Sequence, residues 1–281
     1  MALFTNKVVI VTGAGNGLGR SHALAFAKEG AKVVVNDLGG DRSGGGKTNM
    51  AADKVVEEIK AAGGEAVGNY DSVSTVEGAD RIVWSALAKF GRVDVLVNNA
   101  GILRDKTLIN MSEAEFNLVL DVHLKGTYFC MQAAARMMKI QGPGGRIVNT
   151  TSLSGLLGNF GQANYSAAKA GIYGLTRTTS MEFAKMGITV NAIAPVALTR
   201  MTSDIDMVKS AGDQLAPDRV TPMVIFLASE AAKDITGKIF GCQGGRFFEY
   251  RMQENTGWTK DGVATSAEIA ENMKKILIDG K

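Results

Sequence analysis

Residues 8–19 have the sequence Val-Val-Ile-Val-Thr-Gly-Ala-Gly-Asn-Gly-Leu-Gly, an apolar run followed at once by a glycine-rich turn. The run Val8–Val11 is continuously apolar, as expected of a strand whose sheet is covered on both faces. A strand, a glycine-rich turn and a following helix are a building unit of parallel α/β sheets. This stretch therefore predicts an α/β protein.

The rest of the chain extends this pattern to about residue 242. Short apolar runs alternate with longer segments of helical pattern, without a linker-like break or an internal repeat. Such alternation predicts one parallel sheet with helices on both faces, in three layers. The predicted strands are Lys7–Val11, Lys32–Asn36, Glu65–Tyr70, Asp94–Asn98, Gly145–Thr150, Thr189–Ile193 and Lys238–Cys242.

Two helix starts and one loop are indicated by local sequence. Ser112-Glu113-Ala114-Glu115 has the form of a capping box before a long helical segment toward Lys139. Thr221-Pro222 is typical of an N-cap followed by proline in the first helical turn. The polar, glycine-rich stretch from Gly39 to Thr48 predicts a surface loop after the second strand.

The end of the chain differs in character from the rest. From about Gly244 the sequence is polar and irregular through Gly262, and only Ser266–Ile278 has a helical pattern. We therefore predict a single domain over residues 1–245 and a C-terminal extension with a terminal helix over residues 246–281.

Composition excludes several classes of protein. The 281 residues are 46% hydrophobic and 21% charged, as in a globular protein with a sizeable core. A net charge of +3, without dense runs of Lys and Arg, gives no case for nucleic acid. Cys130 and Cys242 fit reduced thiols, and we assign no residue to a metal. Because no signal-peptide core, membrane-length apolar run or peroxisomal C-terminal address is seen, we predict a cytoplasmic protein without a membrane partner.

The glycine-rich turn also indicates a ligand. Glycines after a strand let the backbone approach a pyrophosphate, toward which the N-terminal amides of the next helix point. The common dinucleotide fingerprint is not met, because Leu18 stands where its third glycine is expected. Mere packing, or a phosphate site of another kind, would leave a similar pattern, but the position after the first strand favours a dinucleotide.

Asp37 bears on which dinucleotide binds. It ends the second strand, where a carboxylate accepts hydrogen bonds from ribose hydroxyls and repels a 2′-phosphate. No Lys or Arg occupies positions 14–16, where a cation would favour NADP, although Arg42 is able to swing toward a 2′-phosphate. NAD is therefore favoured over NADP, and a simple strand-end turn residue is the alternative reading of Asp37.

Two further strand ends carry residues suited to a nucleotide. Asp71 follows the third strand, where its carboxylate or neighbouring amides can meet an adenine ring. Asn98-Asn99-Ala100-Gly101 follows the fourth, where small residues let the backbone lie against the ligand. A tight turn alone would also explain both.

A tyrosine and a lysine suggest acid–base chemistry. Tyr165 and Lys169 are four residues apart, so on a helix they share one face. An ammonium beside a phenol favours phenolate and is expected to lower the pKa of Tyr165 toward neutrality. Ser152 lies thirteen residues before Tyr165. Taken alone, this pair is common on solvated helices.

Taken together, these motifs resemble the short-chain dehydrogenase/reductase family from about Lys7 to Gly245, which implies a Rossmann-type doubly wound sheet. A closer match is carried by Asn36–Asp41, Ala51–Val56, Asn69–Val73, Asn98–Asp105 and Gly158–Lys169. On these segments the chain resembles most the (3R)-hydroxyacyl-CoA dehydrogenase domains of type 2 multifunctional enzymes, and Gly161–Lys169 also resembles 3-oxoacyl carrier-protein reductases. The motifs that carry the family resemblance are Thr12–Gly19, Asn98–Gly101, Ser152, Tyr165-x-x-x-Lys169 and Asn191–Pro195.

The resemblance implies roles for individual residues. Ser152 is expected to bind the substrate oxygen, Tyr165 to exchange its proton, and Lys169 to lower the pKa of Tyr165 and hold the nicotinamide ribose. The residues expected to bind cofactor are Gly13, Asn16, Gly17, Leu18, Gly19, Asp37, Asp71, Ser72, Asn98, Ala100, Gly101, Tyr165, Lys169, Pro195, Val196 and Thr199.

The chain departs from the family pattern at two positions. His123 stands where an asparagine usually holds a proton-relay water, so it either serves that relay or is a hydrogen-bonded buried histidine. Val196 replaces the glycine that usually follows Pro195, and valine reaches glycine's conformations less cheaply. The loop through Thr199 is therefore expected to differ in shape.

The expected activity is hydride transfer between NAD and a secondary alcohol or ketone, with a 3-hydroxyacyl-CoA as first candidate. A hydroxysteroid, or a carrier-protein acyl chain with NADPH, is the alternative, and a non-catalytic nicotinamide-binding subunit is an alternative of another class. Leu103, Leu156, Leu157 and Phe160 would suit an apolar substrate, and Ala197–Leu215, with Met201 and Met207, is a candidate lid. Core packing explains any one of these residues equally well. The resemblance also implies a homodimer or homotetramer through the helices near Ser112–Lys139 and Tyr165–Met186.

Overall fold

The computed structural model describes residues 2–142, 144–199 and 212–278. Within these residues eight strands form one sheet, in the order β3-β2-β1-β4-β5-β6-β7-β8. The seven predicted strands are confirmed, with small shifts at their ends. The strands are β1 Val8–Thr12, β2 Lys32–Asn36, β3 Glu65–Asn69, β4 Val95–Asn98, β5 Gly145–Thr150, β6 Ile188–Val196, β7 Ile239–Gln243 and β8 Arg246–Tyr250.

Helices separate most of these strands along the chain. A π-helical segment, Asp121–Lys125, joins two of them. The α-helices are α1 Gly17–Lys28, α2 Met50–Ala61, α3 Val76–Phe90, α4 Glu113–Leu120, α5 Gly126–Gln141, α6 Leu153–Leu157, α7 Ala163–Glu182, α8 Thr221–Ala228, α9 Ser266–Glu271 and α10 Met273–Ile276.

The sheet changes its winding direction at β1. Strand β1 pairs in parallel with β2 on one side, where Val11 lies opposite Val35, and with β4 on the other, where Val11 lies opposite Val97. The remaining described pairs from β3 to β7 are parallel too. In such a doubly wound sheet, a crevice opens beyond the carboxyl ends of the strands at this switch point.

Apolar residues of β1 explain why helices cover both faces. Val9 and Val11 pack into one buried cluster, while Val8 and Ile10 pack into a second cluster on the opposite face. All five residues of β1 are buried. The three-layer arrangement expected from the continuously apolar run is therefore confirmed.

Helix starts agree with the sequence to within one residue. The Ser112 side chain accepts from the Glu115 amide and the Glu115 side chain accepts from the Ser112 amide, which is the predicted capping box. Pro222 lies in the first turn of α8 as predicted, but Val220 rather than Thr221 occupies the cap position. The hydroxyl of Thr221 is used in a tertiary contact described below.

The prediction of irregular structure after Gly244 is wrong for Arg246–Tyr250, which forms β8. Gly244 and Gly245 both have positive φ, 56° and 89°, and form a two-residue turn that returns the chain beside β7. The ring of Phe248 lies so close to Gly241 that a Cβ there would be 2.4 Å from Phe248 Cζ. The Phe248 ring of β8 thus lies directly against Gly241 of the neighbouring strand β7.

Two compact units make up the chain, Met1–Glu249 and Tyr250–Lys281. In the second, the predicted helix Ser266–Ile278 is divided into α9 and α10 at Asn272. A capping box between Thr265 and Glu268 begins α9, and Asn255 Nδ2 donates to Ile276 O at 2.9 Å. Among the described residues, no helix has the length and apolar character needed to span a bilayer.

Candidate active site

The glycine-rich turn and the turn after β4 are fastened to each other by Thr12. Its Oγ1 accepts hydrogen bonds from the amides of Asn99 and Ala100, each at 3.1 Å. In return, Asn99 Nδ2 donates to the carbonyls of Thr12 and Gly13 at 3.0 Å. Two motifs that the sequence singled out separately therefore form one structure at the carboxyl edge of β1 and β4.

Close backbone contacts explain two of the glycines in this turn. Gly13 has φ 62°, and a Cβ there would lie 2.7 Å from Ala100 Cα. A Cβ on Gly19 would lie 2.2 Å from Gly13 O and 2.5 Å from Asn99 Nδ2. Any side chain at either position would push the two turns apart.

The carboxylate of Asp37 is held by backbone amides from two segments. Its Oδ2 accepts from the Gly15 amide at 2.8 Å, and its Oδ1 accepts from the Gly39 amide at 2.7 Å. Because each oxygen has further acceptor capacity, the group can still receive hydrogen bonds from a ligand. Its orientation is fixed by the same turn that begins α1.

Asp71 and Ser72 lie at the next strand end toward the sheet edge. Asp71 Oδ1 pairs with Arg81 Nε at 2.6 Å, and its Oδ2 accepts from Asn69 Nδ2 at 2.9 Å. The Ser72 and Ser74 hydroxyls are 2.8 Å apart. The Asp71 side chain thus makes protein contacts on both oxygens, and Asp71 and Ser72 both line the cleft.

A cleft runs along this edge and collects most of the residues expected to bind cofactor. Ten of them line it: Gly13, Asn16, Gly17, Leu18, Asp37, Asp71, Ser72, Ala100, Gly101 and Thr199. Gly19 lies behind the turn, and Asn98 is buried, with its Nδ2 donating to Asn149 Oδ1 at 2.9 Å. Pro195 and Val196 form the end of β6 rather than a loop.

Several cleft residues were missed by the sequence reasoning. Gly40, Asp41 and Gly44 belong to the predicted surface loop Gly39–Thr48, which also lines the cleft. Asp41 Oδ1 accepts from the amides of Ser43 and Gly45, which folds this loop on itself. The high glycine content of the loop Gly39–Thr48 is the sequence signal that could have identified these cleft residues. The apolar lining residues Val73, Ile102, Leu118 and Val122 gave no local signal.

Ser152, Tyr165 and Lys169 come together beyond β5. Ser152 caps α6, and its hydroxyl makes a hydrogen bond with Tyr165 that favours the phenolate. Lys169 lies one turn after Tyr165 on α7, with its Nζ 5.5 Å from the centre of the tyrosine ring. The Nζ donates to Thr150 O at 2.6 Å, at the end of β5.

The pKa values of this pair differ from the expectation. Burial raises the pKa of Tyr165 to about 12, with a smaller rise from Asp105 opposed by the hydrogen bond from Ser152. Burial also lowers the pKa of Lys169 to about 7. The expectation that the Lys169 ammonium lowers the pKa of Tyr165 is therefore wrong for this site, because desolvation acts on both groups and weakens the charge of the lysine.

His123 connects the cleft to these three residues. Its ring stacks edge-on against Tyr165, with centres 5.1 Å apart and planes at 89°. A Cβ on Gly101, which lines the cleft, would lie 2.3 Å from His123 Cε1. The site and the cleft therefore adjoin through one imidazole.

The surroundings of His123 keep it neutral. Its Nε2 is 3.0 Å from the Ile102 amide and 2.8 Å from the Ile102 carbonyl, while its buried Nδ1 has no partner among the described residues. Burial and the nearby Lys169 lower its pKa to about 3. His123 lies in the π-helical segment, a feature often found at functional sites.

The apolar residues expected near the site lie on its outer side. Leu157, at the end of α6, is 76% exposed, and Phe160, in the loop to α7, is 90% exposed. Leu103 and Leu156 are half-buried. In the candidate lid, residues 200–211, including Met201 and Met207, lie outside the described residues.

The doubly wound parallel sheet and the glycine-lined cleft at its switch point define a Rossmann-type dinucleotide fold. The sequence model of the family described as short chain dehydrogenase matches residues 7–214. The chain belongs to this family and is an oxidoreductase.

Individual relatives show the same relationship. The chain is 51% identical to the peroxisomal hydratase-dehydrogenase-epimerase of Saccharomyces cerevisiae over 98% of its own length, which is 30% of the yeast protein. A crystal structure of a short chain dehydrogenase from Mycobacterium avium has a TM-score of 0.86 and 43% identity, covering 98% of this chain and 97% of the other. The full-length peroxisomal multifunctional enzyme type 2 of Drosophila melanogaster has a TM-score of 0.80 and 37% identity, covering 97% of this chain and 45% of the other.

Proposed function

We propose that this chain is an NAD-dependent dehydrogenase that interconverts a secondary alcohol and a ketone on a 3-hydroxyacyl-CoA type substrate. The observation that carries the proposal is the grouping of Ser152, Tyr165 and Lys169 beside His123, whose ring also packs on Gly101 in the cleft. A proton-exchanging group thus adjoins a cleft suited to a dinucleotide. The resemblance to dehydrogenase domains of multifunctional enzymes supports the substrate class.

The cleft has the features that a nicotinamide dinucleotide requires. Gly13 and Gly17 line it without side chains, and the N-terminus of α1 has no side-chain cap to compete with a phosphate. Asp37 would hold the adenosine ribose, and Lys169 the nicotinamide ribose. When bound, the cofactor supplies the hydride carrier and, in its oxidised form, a positive charge that favours a phenolate.

The chain's own residues supply the proton chemistry. In alcohol oxidation, Tyr165 accepts the hydroxyl proton through its phenolate oxygen, and in ketone reduction the neutral phenol returns it. Ser152 hydrogen-bonds the substrate oxygen and favours the phenolate through its contact with Tyr165. Because the pKa of His123 is about 3, it takes part in any proton path as a neutral hydrogen-bonding group through Nδ1.

The contacts of Asp37 support NAD over NADP. Both of its oxygens are oriented by backbone amides, so the carboxylate is held where it would repel a 2′-phosphate. Purified protein is assayed with both cofactors against acyl-CoA, steroid and simple alcohol panels. We expect NAD and 3-hydroxyacyl-CoA to give the highest kcat/KM. A higher kcat/KM with NADP would contradict the assignment of Asp37. Turnover of steroids alone would replace the acyl-CoA hypothesis with the hydroxysteroid hypothesis.

Tyr165→Phe separates an enzyme from a non-catalytic binding subunit. We expect turnover to fall by about 10²–10⁴-fold, because the variant lacks the exchangeable proton. NADH binding, followed by fluorescence titration, should be unchanged, since the ring remains. Turnover equal to that of the parent would refute the role of Tyr165.

A homodimer or homotetramer is the assembly we propose, on the family resemblance. An apolar groove between α5 and α7 supports it, since it is lined by Tyr128, Met131, Leu175, Phe183 and Met186. These are the helices through which the resemblance predicts pairing. Sedimentation equilibrium tests this directly, and a monomer at micromolar concentration would exclude it.

Location and domain organisation also remain proposals. The proposed cytoplasmic location differs from that of two relatives whose names place them in peroxisomes. Fluorescence microscopy of the tagged protein in its own cells decides between them. We propose that residues 246–281 form an extension to the dehydrogenase domain, of whose described residues only those of β8 join the sheet. Truncation after residue 250, which keeps β8, with an activity assay tests whether the domain works without the rest of the extension.

A further inference from the structure

The loop after β4 is fastened to the start of α7, the helix that carries Tyr165. Asp105 Oδ2 accepts from Gln162 Nε2 at 2.7 Å, and Gln162 is the residue that precedes α7. Two residues further, Asn164 Nδ2 donates to Arg104 O at 2.9 Å, and its Oδ1 accepts from the Tyr165 amide at 2.7 Å. The carboxylate of Asp105 is therefore held close to the first turn of α7.

Gln162 also reaches the segment that carries Ser152. Its Oε1 accepts from Ser154 Oγ at 2.9 Å and from Asn159 Nδ2 at 3.0 Å. The backbone of Gln162 forms an isolated parallel bridge with Lys106, so the two loops run side by side here. One carboxamide thus joins Asp105 to both segments that meet at the Tyr165 phenol.

The charges around this phenol come from three elements. From α7 itself, Lys169 lies over the ring, with a pKa lowered to about 7 by burial. From the π-helical segment, His123 stacks on the ring and is neutral. From the loop after β4, Asp105 is an exposed carboxylate whose charge opposes formation of the phenolate.

Other charged groups near this loop are paired or turned to other partners. Lys106 forms an ion pair with Glu115 of α4 at 2.8 Å, so their charges largely cancel. Arg104 Nε donates to Ser43 O at 2.6 Å, and its charge acts on Asp41. The described hydrogen bond of Asp105 is to the uncharged amide of Gln162, so no cation among the described residues is paired with its carboxylate.

We propose that Asp105 is a positioning residue that keeps the Tyr165 proton bound to higher pH, with Gln162 holding its carboxylate in place. The proposal rests on the proposed role of Tyr165 in proton exchange. In this arrangement the enzyme favours the neutral phenol, the form that donates a proton to a ketone. Alcohol oxidation, which needs the phenolate, is then shifted to more alkaline pH.

Asp105→Asn tests this, because asparagine can still accept from Gln162 while the charge is gone. We expect the acid limb of kcat/KM for alcohol oxidation to move to lower pH by about 0.5 unit. The pH shift between the parent and Asp105→Asn should be smaller at high salt, because Asp105 is exposed and salt screens its charge. Asp80→Asn, an exposed carboxylate on α3, is the control for net charge and should leave the profile in place.

A second measurement does not depend on turnover. The ultraviolet difference spectrum of tyrosinate, parent minus Tyr165→Phe, follows the ionisation of Tyr165 directly, and it should move to lower pH in Asp105→Asn. An unchanged titration and an unchanged kinetic profile in this variant would overturn the proposal while Tyr165 keeps its role. Full activity of Tyr165→Phe would overturn the proposed function, whatever the titration shows.

Discussion

The dinucleotide cleft and the proton-exchange site share one edge of the sheet but are built differently. In the cleft, backbone atoms meet backbone atoms, as where Gly13 approaches Ala100 and Gly19 approaches the Gly13 carbonyl. At the proton-exchange site, side chains meet, and desolvation moves the pKa of Tyr165 and of Lys169 in opposite directions. The first region depends on shape and the second on solvation, so substitutions should affect them differently.

The largest effect is expected at Lys169. Lys169→Met should lower kcat by about 10²-fold, since the site loses the side chain proposed to position the nicotinamide ribose. The same change should raise the free energy of unfolding by about 2 kcal/mol at pH 6, because a buried ammonium is costly. Urea denaturation and steady-state kinetics measure the two effects.

The stability gain at Lys169 should depend on pH. Between pH about 7 and the ordinary lysine pKa of 10.5, the unfolded parent binds more protons than the folded parent. Parent stability at this site therefore rises with pH through that window, and the advantage of Lys169→Met disappears near its upper end. Lys89→Met, at an exposed position on α3, is the control and should show neither effect. A less stable Lys169→Met at pH 6 would contradict the burial argument.

A smaller effect is expected from filling the cleft turn. Gly19→Ala places a Cβ against the Gly13 carbonyl, so we expect at least about tenfold weaker NADH binding and a loss of about 1–3 kcal/mol in stability. Gly174→Ala is the matched control, since that glycine is also helical and a Cβ there meets nothing within 4 Å. The control should be as stable as the parent or up to about 1 kcal/mol more stable. Equal NADH affinity in Gly19→Ala and Gly174→Ala would show that the turn accommodates the added methyl group without loss of binding.

The smallest effect compares two buried histidines, one on α1, the helix that follows the glycine-rich turn, and one at the proton-exchange site. His22, on α1, has its Nδ1 2.8 Å from Thr221 Oγ1 of α8, and like His123 it has a pKa lowered to about 3 by burial and a nitrogen without a described partner. Between pH about 6.5 and 3 the unfolded state binds more protons, so each histidine reduces stability as pH falls. His22→Asn and His123→Asn should each lessen that loss by about 1–2 kcal/mol near pH 4.

Only the kinetic readout should distinguish these two variants. His123→Asn alters a ring stacked on Tyr165, so its kcat should change, whereas His22→Asn should leave kcat as in the parent. Denaturation midpoints across the acid range and parallel assays near neutral pH give both readouts. Matching changes in kcat for both variants would mean that the two regions are less separate than their contacts suggest.

The same contrast explains how much could be predicted from the sequence. The strands of the parallel sheet and the glycine turn were predictable, because their sequence pattern follows directly from local backbone geometry. Strand β8 is not predicted from the sequence, although Gly244-Gly245 is a hairpin signal, because a glycine pair is equally typical of the end of a domain. The π-helical segment has no distinct local pattern, so the segment between Ser112 and Lys139 looked like one helix.

Properties that depend on distant contacts could not be predicted. The spacing of Tyr165 and Lys169 was visible, but their pKa values depend on burial created by other elements. The bond from Gln162 to Asp105 joins residues 57 positions apart and has no local signature. The position of His123 was identified, whereas its stacking on Tyr165 and its contact with Gly101 required the fold.

The π-helical segment Asp121–Lys125 also has a consequence for insertions and deletions in this chain. A π-helical segment holds one residue more than the same stretch of α-helix would hold. In a regular α-helix, by contrast, deleting one residue rotates the side chains beyond the deletion by about 100° around the helix axis. Losing one residue between positions 121 and 125 would therefore let the helix straighten while Cys130, Met131 and Met138 still face the sheet. Losing one residue within α5 itself would rotate the side chains beyond the deletion away from the sheet. Among natural relatives, we therefore expect single-residue length differences within residues 121–125 and none within α5.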